Sequence, residues 1–421
     1  MSDKGKKFLK KSIIVVGAGA SGLVAAIEAA KRGIDVTLLE ADSQAGRKIY
    51  ATGNGRCNLT NKKMSEEYFR SRNMAFVKEI IESFGYRETI SYFGELGLCF
   101  KDRDGYIYPR SGQASSVAVA LYNECLFYGV HIVLNSPVEA IEKKGNFFYV
   151  KTPHKEYSSK GIILSCGSLA GIPKRKRLRI NGYDLAKSLG HGMIPIVSSL
   201  TGMKCENKDF YKAVSGVRCD GQIRLLVEGG EGYETAAWDE GELQLTDYGV
   251  SGIPAFQVSA YGAYGIREKK GVRLKIDFLS NMSPDSIFNM IKEKGKKNKN
   301  ITILQCFIGV INDKLAAALI EELHIPADEK ACHIDDSLIK RLAAEIKSYT
   351  DNVTDVNDFA SAQVLAGGIR LDEFKSTMES KLVPDLYMTG EMLDADGMCG
   401  GYNLQWAWAT GYIAGNHILR E

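Results

Sequence analysis

The chain has 421 residues, 45% hydrophobic and 25% charged, and its 54 Lys+Arg against 51 Asp+Glu leave a formal net charge of +3. That length calls for two or three domains, and the charge balance is too even to argue for a nucleic-acid partner. Nine cysteines without a C-x-x-C pair and six scattered histidines speak against a disulfide framework and a zinc motif, so no metal is expected.

A basic stretch, Lys4–Lys11, precedes an apolar one. A secretory signal needs an apolar run of about 7–15 residues, and the run before Ala18-Gly-Ala20 is shorter. No other window has the roughly 18 uncharged apolar residues of a membrane span. A cytoplasmic protein is expected. Ser12–Val16 then reads as a buried parallel strand, followed by the turn Gly17-Ala-Gly-Ala-Ser-Gly22, a helix over Leu23–Lys31 and a second strand, Asp35–Leu39, ending at Glu40. This is the order of a dinucleotide-binding unit. The first glycine allows the tight turn, the second lets backbone approach a pyrophosphate, and the third lets helix pack on strand. Gly17, Gly19, Ala20 and Gly22 are assigned to the pyrophosphate, and Glu40 to a ribose hydroxyl pair. An acid there disfavours a 2′-phosphate, so this site is not expected to take NADP.

Gly46–Asn61 crowds turn residues beside basic ones, as a polar loop wrapping a dinucleotide would, and Arg47 and Lys48 are expected to face phosphate or the far ring. A strand over Gly161–Ser165 leads to Cys166-Gly-Ser168 and then to Lys174-Arg-Lys-Arg177 with Arg179. A second basic run, Lys292–Lys299, reads as a solvated turn between helices. Gly229-Gly-Glu-Gly232 reads as a hairpin turn, so a nicotinamide donor would have no Rossmann domain of its own. Near the far end, the short strand Leu386–Met388 leads to Gly390-Glu391. The cluster Asp394-Ala-Asp-Gly-Met-Cys-Gly-Gly-Tyr-Asn403 follows, and then a helical pattern, Leu404–Ile418. Gly400, Gly401, Tyr402 and Asn403 open that helix with bare N–H groups, which suit electron-rich atoms. Two such sites at opposite ends of one chain fit a cofactor with two ends, FAD. Tyr402, Trp406 and Trp408 are either flavin neighbours or core. Cys57 and Cys399 are expected to pack, and no catalytic side chain is legible. The lack of a C-x-x-C pair excludes disulfide-reductase chemistry, and no Ser-His-Asp set asks for hydrolysis.

These pieces resemble the bacterial FAD-dependent oxidoreductases called YhiN-like or BaiN-like. The resemblance is carried by Gly17–Gly22, Gly46–Asn61, Leu245–Pro254, Ala366–Ile369, Thr377–Lys381 and Leu386–Ala414, nearly the whole length. Gly55-Arg-Cys-Asn58 and Gly400-Gly-Tyr-Asn-Leu-Gln-Trp-Ala407 are its most specific parts. It implies an α/β fold: a Rossmann-type FAD-binding domain from both chain ends, residues 1–195 and 361–421, around an insert, 196–360. The insert would hold a β-barrel and a small helical part at about 280–345. The sequence agrees, since Pro195–Arg273 alternates and is rich in turn residues, and 283–344 is helical in pattern. The resemblance also puts Asn58, Gly167 and Gly390 beside the cofactor, Glu391 on the ribityl chain, and Val138 on a strand passing the adenine.

One departure stands out. After Cys166-Gly-Ser168 the family has small neutral residues, where this chain has the cationic Lys174–Arg179. That loop is expected to attract an anionic substrate tail or the phosphates of a donor. The implied activity is NAD(P)H-dependent reduction of a carbon–carbon double bond conjugated to a ketone, as in BaiN-type relatives that act on 3-oxo bile acids. The alternative is amine oxidation, as in relatives described as aminoacetone oxidases. A nucleic-acid-binding flavoprotein is a third reading, but no aromatic-interleaved basic surface accompanies the cationic loop.

Overall fold

The computed structural model describes residues 11–420; most of the basic N-terminal stretch weighed as a targeting segment lies outside them. The chain divides into two compact units, one from the residues up to Ile196 and those from Val364 onward, the other from Val197–Gln363.

The first unit is built on a five-stranded parallel sheet in the order Leu386–Met388, Gly161–Leu164, Ser12–Val16, Asp35–Leu39 and His131–Val133. Its central strands are continuous apolar runs: Ile13 to Val16 and Ile162 to Leu164 are buried. Strands covered on both faces need that pattern, because alternation would bury polar side chains. The edge strand Leu386–Met388 comes from the far end of the chain, so the sheet forms only when both ends meet. Helix Ala20–Lys31 follows the first strand, and helix Tyr402–His417 lies along it. The two run parallel and very close. A Cβ on Gly411 would stand 2.4 Å from the Ser21 carbonyl oxygen, and one on Gly415 would stand 2.5 Å from that of Ala25. This is the expected Rossmann-type domain drawn from both ends.

The second unit holds a closed barrel of Met203–Cys205, Gly249–Gly252, Gly232–Thr246, Arg218–Gly229, Val272–Asp277 and Tyr349–Val356. Leu225, Leu243, Leu245, Val250, Leu274 and Ile276 are buried in its core. Gly229 pairs with Gly232 at the tip of the long hairpin, as the sequence predicted. Two expectations need correction. Helix Ile253–Arg267 lies within the stretch read as alternating strands; its small residues Ala255, Ser259 and Gly262 give it a buried face that alternation counting misreads. The basic run at 292–299 is no free turn, since helix Pro284–Lys297 includes most of it. Cations in a last helical turn complement the helix dipole. Helices Asp313–Glu321 and Asp336–Ser348 complete the helical part, and the last barrel strand comes after it. Among the described residues, no helix is long and apolar enough to cross a membrane.

Candidate functional site

The glycine turn after the first strand is shaped by contacts no side chain could tolerate. Gly17 has φ +100° and turns against the Ser165 carbonyl, which a Cβ would meet at 2.4 Å. A Cβ on Gly22 would stand 1.9 Å from the Gly17 carbonyl oxygen, whereas one on Gly19 would meet nothing within 4 Å. The turn is therefore closed on the protein side and open at Gly19. Gly19 caps helix Ala20–Lys31 with no side-chain bond to its first N–H groups, which leaves donors for an anion. Glu40 sits beside the turn. Its Oε2 accepts from Ala18 N at 2.7 Å and its Oε1 from Asp42 N at 2.8 Å. Burial raises its carboxyl above the usual carboxylate value, opposed by those backbone bonds. Each oxygen keeps a lone pair for a ribose hydroxyl. Ser136 N donates to the Glu40 carbonyl at 2.7 Å, so Val138, buried nearby, is held in an extended segment ahead of Ala140–Lys144 rather than on a strand.

The second corner gathers residues from three stretches of chain. Lys48 Nζ donates to Glu391 Oε2 at 2.5 Å across 343 residues, and Ser168 Oγ donates to the same oxygen at 3.1 Å. Lys48 lies on a short helix, Arg47–Ala51, where the sequence was read as a loop. Arg47 does not join it and pairs with Asp42 at 2.9 Å. Gly390 fits where a Cβ would strike Ser21 Oγ at 2.6 Å. Its N–H donates to Thr410 Oγ1 at 3.0 Å and its carbonyl accepts from Trp406 Nε1 at 3.2 Å. Beyond Ser168, a Cβ on Gly167 would meet nothing within 4 Å.

The start of the C-terminal helix is similarly braced. Gly401, at φ +94°, caps it without a side-chain bond. The Asn58 amide, with its nitrogen toward the Ile107 and Thr60 carbonyls, accepts from Gly401 N at 3.3 Å. The Asn403 side chain exchanges bonds of 2.8 and 2.7 Å with the backbone of Gly397. The Gly400 carbonyl accepts from Asn61 at 3.1 Å, and Tyr402 is buried and stacked on Tyr68 at 4.8 Å. Arg70 grips Asp396 at 2.6 Å. The side chains of Asn58, Tyr402 and Asn403, expected at the cofactor, are thus engaged within the protein, and what this corner offers is backbone N–H. Trp406 and Trp408 are buried core residues.

The helix contacts set the spacing of the two corners. Ser21 is the second residue of its helix and Gly411 the tenth of the other, so the C-terminal helix starts eight residues further along the shared direction. At 1.5 Å per residue that is about 12 Å. Two positive helix ends, facing one way and offset by that length, fit a pyrophosphate at one and an electron-rich ring edge at the other.

The sequence gave no warning of a relay near this domain's edge. His191 Nδ1 lies 2.8 Å from Glu373 Oε2 and its Nε2 lies 3.0 Å from Ser380 Oγ. Ser380 Oγ also accepts from Leu382 N and Val383 N, both at 3.0 Å. Buried and with its lone pairs taken, this serine is no nucleophile; the relay pins the Thr377–Lys381 segment. Burial lowers the His191 pKa below its ordinary 6.5, with Glu373 pulling the other way. The folded state therefore resists a proton that the unfolded chain accepts. The contribution is full above 6.5 and fades as pH falls through the folded value. Melting temperature is expected to drop from about pH 7.5 to about pH 5, with a shallower slope in His191→Gln. Equal slopes in the two proteins would contradict this. Cys57 and Cys166 are inert packing thiols, both pushed up to about 12 by burial.

A parallel dinucleotide sheet with a second helix end set ahead of the first defines the class: the protein is an FAD-dependent oxidoreductase. It belongs to the HI0933-like family, whose Rossmann-domain model matches residues 11–417. It is similar to the 3-dehydro-bile acid delta(4,6)-reductase of Clostridium scindens, 40% identical over 404 residues, 95% of this chain and 97% of that one. It is also similar to the ribosomal RNA dihydrouridine synthase of Haemophilus influenzae, 30% identical over 415 residues, 97% of this chain and 98% of that one. A protein of that name from Escherichia coli is 24% identical over 413 residues, 96% of this chain and 97% of that one.

Proposed function

We propose that the protein reduces a carbon–carbon double bond conjugated to a ketone in a steroid- or bile-acid-like small molecule, with NAD(P)H as a transient donor. The observation that carries this is the 40% identity, along almost the full length of both chains, to a reductase of that chemistry. Bound FAD supplies the hydride chemistry, from the donor to the carbon β to the ketone, while a proton goes to the α carbon. The chain's own residues hold and orient. The open turn at Gly19 and the N–H groups from Ala20 to Gly22 take the pyrophosphate, and Glu40 takes the adenosine ribose. Lys48, Ser168 and Glu391 form the polar corner at the ribityl chain. The N–H groups of Gly401, Tyr402 and Asn403 support negative charge at the flavin's pyrimidine end.

Dihydrouridine is also the product of adding two hydrogens across a double bond conjugated to a carbonyl, so the rRNA-directed relatives favour a second reading, a uracil ring in RNA. Against it stand the net charge of +3 and a lower identity. The basic turn Lys174–Lys176, with Arg177 and Arg179, lies exposed in the segment that starts at Ser168. Leu178 is 45% exposed among those cations. A turn with cations around an apolar side chain fits an apolar skeleton with an anionic tail.

Anaerobic mixing tests the reading. NADH or NADPH is expected to bleach the flavin, and a 3-oxo-4-ene steroid acid to restore it. Bleaching by an amine instead would replace the reductase reading with amine oxidation, and reoxidation only by uridine-containing RNA would favour the second. KM for the steroid acid is expected to rise with ionic strength and to rise again in a Lys174, Arg175, Arg177→Ser variant, because solvent-exposed charges act over about 8–10 Å and are screened by salt. A KM indifferent to both would remove the role of the basic turn.

A further inference from the structure

Tyr183 opens a short helix, Gly182–Ser188, just after the basic turn. It is only 3% exposed, and its hydroxyl has no hydrogen-bond partner. A buried hydroxyl left unpaired costs roughly 1–3 kcal/mol, so its persistence asks for a partner that is not protein. Its position says which. A Cβ on the adjacent Gly182 would stand 2.5 Å from Cys166 Cβ and 3.6 Å from Met392 Cε. Those two residues flank the Gly167–Ser168 and Glu391 corner. Glu391 has the complementary need: its Oε2 accepts from Lys48 and Ser168, while its Oε1 accepts from none of the described residues. A donor without an acceptor and an acceptor without a donor share one corner and do not bond each other. The Glu391 charge is near enough to help burial raise the Tyr183 pKa. Tyr92, also buried and unpaired, differs in kind, since Phe84, Phe93 and Tyr412 ring it.

We infer that Tyr183 and Glu391 together hold one hydroxyl of the cofactor's ribityl chain, Tyr183 donating to it and Glu391 accepting from it. A polyol hydroxyl can do both at once. This rests on the FAD reading, and it makes Tyr183 a cofactor-binding residue that the glycine motifs do not reveal.

The test is Tyr183→Phe in the full chain, comparing FAD and ADP affinity of flavin-stripped protein and the melting temperature of that stripped protein. ADP carries the adenosine half alone. The Kd for FAD is expected to rise about three- to tenfold, the loss of one hydrogen bond. The Kd for ADP is expected to stay the same and the melting temperature not to fall, because the deleted hydroxyl had no protein partner. An unchanged FAD Kd would overturn the inference and leave the FAD reading intact. A lower melting temperature with both ligands weakened equally would overturn it too, by making the hydroxyl structural. Wild-type protein that takes up no FAD would sink the FAD reading and this inference with it.

Discussion

Glu40→Arg is expected to cost the protein most of its FAD. The Glu40 carboxylate joins two backbone donors, Ala18 N at 2.7 Å inside the glycine turn and Asp42 N at 2.8 Å beyond the second strand. A guanidinium can accept from neither and would set donor against donor in a buried corner. Hydrogen bonds to a charged group are worth about 1.5–3 kcal/mol each. Losing two, together with the ribose contact, predicts FAD affinity lower by about a hundredfold or more. Glu40→Gln keeps one carbonyl acceptor and should fall between the two. Equilibrium titration of flavin-stripped protein decides it; a Glu40→Arg protein that keeps wild-type FAD affinity would mean that the adenosine end lies elsewhere. ADP affinity should fall in parallel, which separates this change from one at the ribityl corner.

The first of these corners was legible in the sequence because it is local. Strand, turn, helix, strand and acid run consecutively from Ser12 to Glu40, and both strands appear with the predicted bounds. Leu386–Met388 was also legible as a strand, its three apolar residues lying between turn-forming neighbours. What stayed hidden depends on partners far apart in the chain. Ser168 has no motif of its own and gains its place only by meeting Glu391, 223 residues away. The relay of His191, Glu373 and Ser380 spans comparable distances. The roles of Asn58, Tyr402 and Asn403 illustrate a different limit. Their presence in a glycine-rich run signals a cofactor loop, but residue type cannot tell a side chain that touches the ligand from one that braces the backbone doing so. Barrel and helix were confused at Ile253–Arg267 for a third reason: Ala, Ser and Gly on the buried face carry too little hydrophobicity to show a helical period.

Gly411→Leu is expected to destabilise the first unit and release its flavin. The 12-residue helix Ala20–Lys31 and the 16-residue helix Tyr402–His417 touch backbone to backbone. At Gly411 a Cβ would meet Ser21 O at 2.4 Å and Ser21 Cα at 3.0 Å. Neither atom can swing aside as a flexible side-chain end could, so the helices must separate or slide. Overpacking of this kind costs roughly 1–3 kcal/mol and occasionally more, which in a unit of this size lowers the melting temperature by about 5–10 °C. The flavin effect follows from the same geometry. The offset of about 12 Å between the two helix starts exists only while Ser21 faces Gly411 and Ala25 faces Gly415, and a slide moves one anchor relative to the other. Gly94→Ala is the control, since its Cβ meets nothing within 4 Å in helix Tyr86–Glu95; alanine there should be neutral or slightly stabilising. Differential scanning of both variants with flavin absorbance per mole of protein makes the comparison. Wild-type melting and flavin content in Gly411→Leu would show that the two helices are not held this close, and the spacing argument for a two-ended cofactor would fall with them.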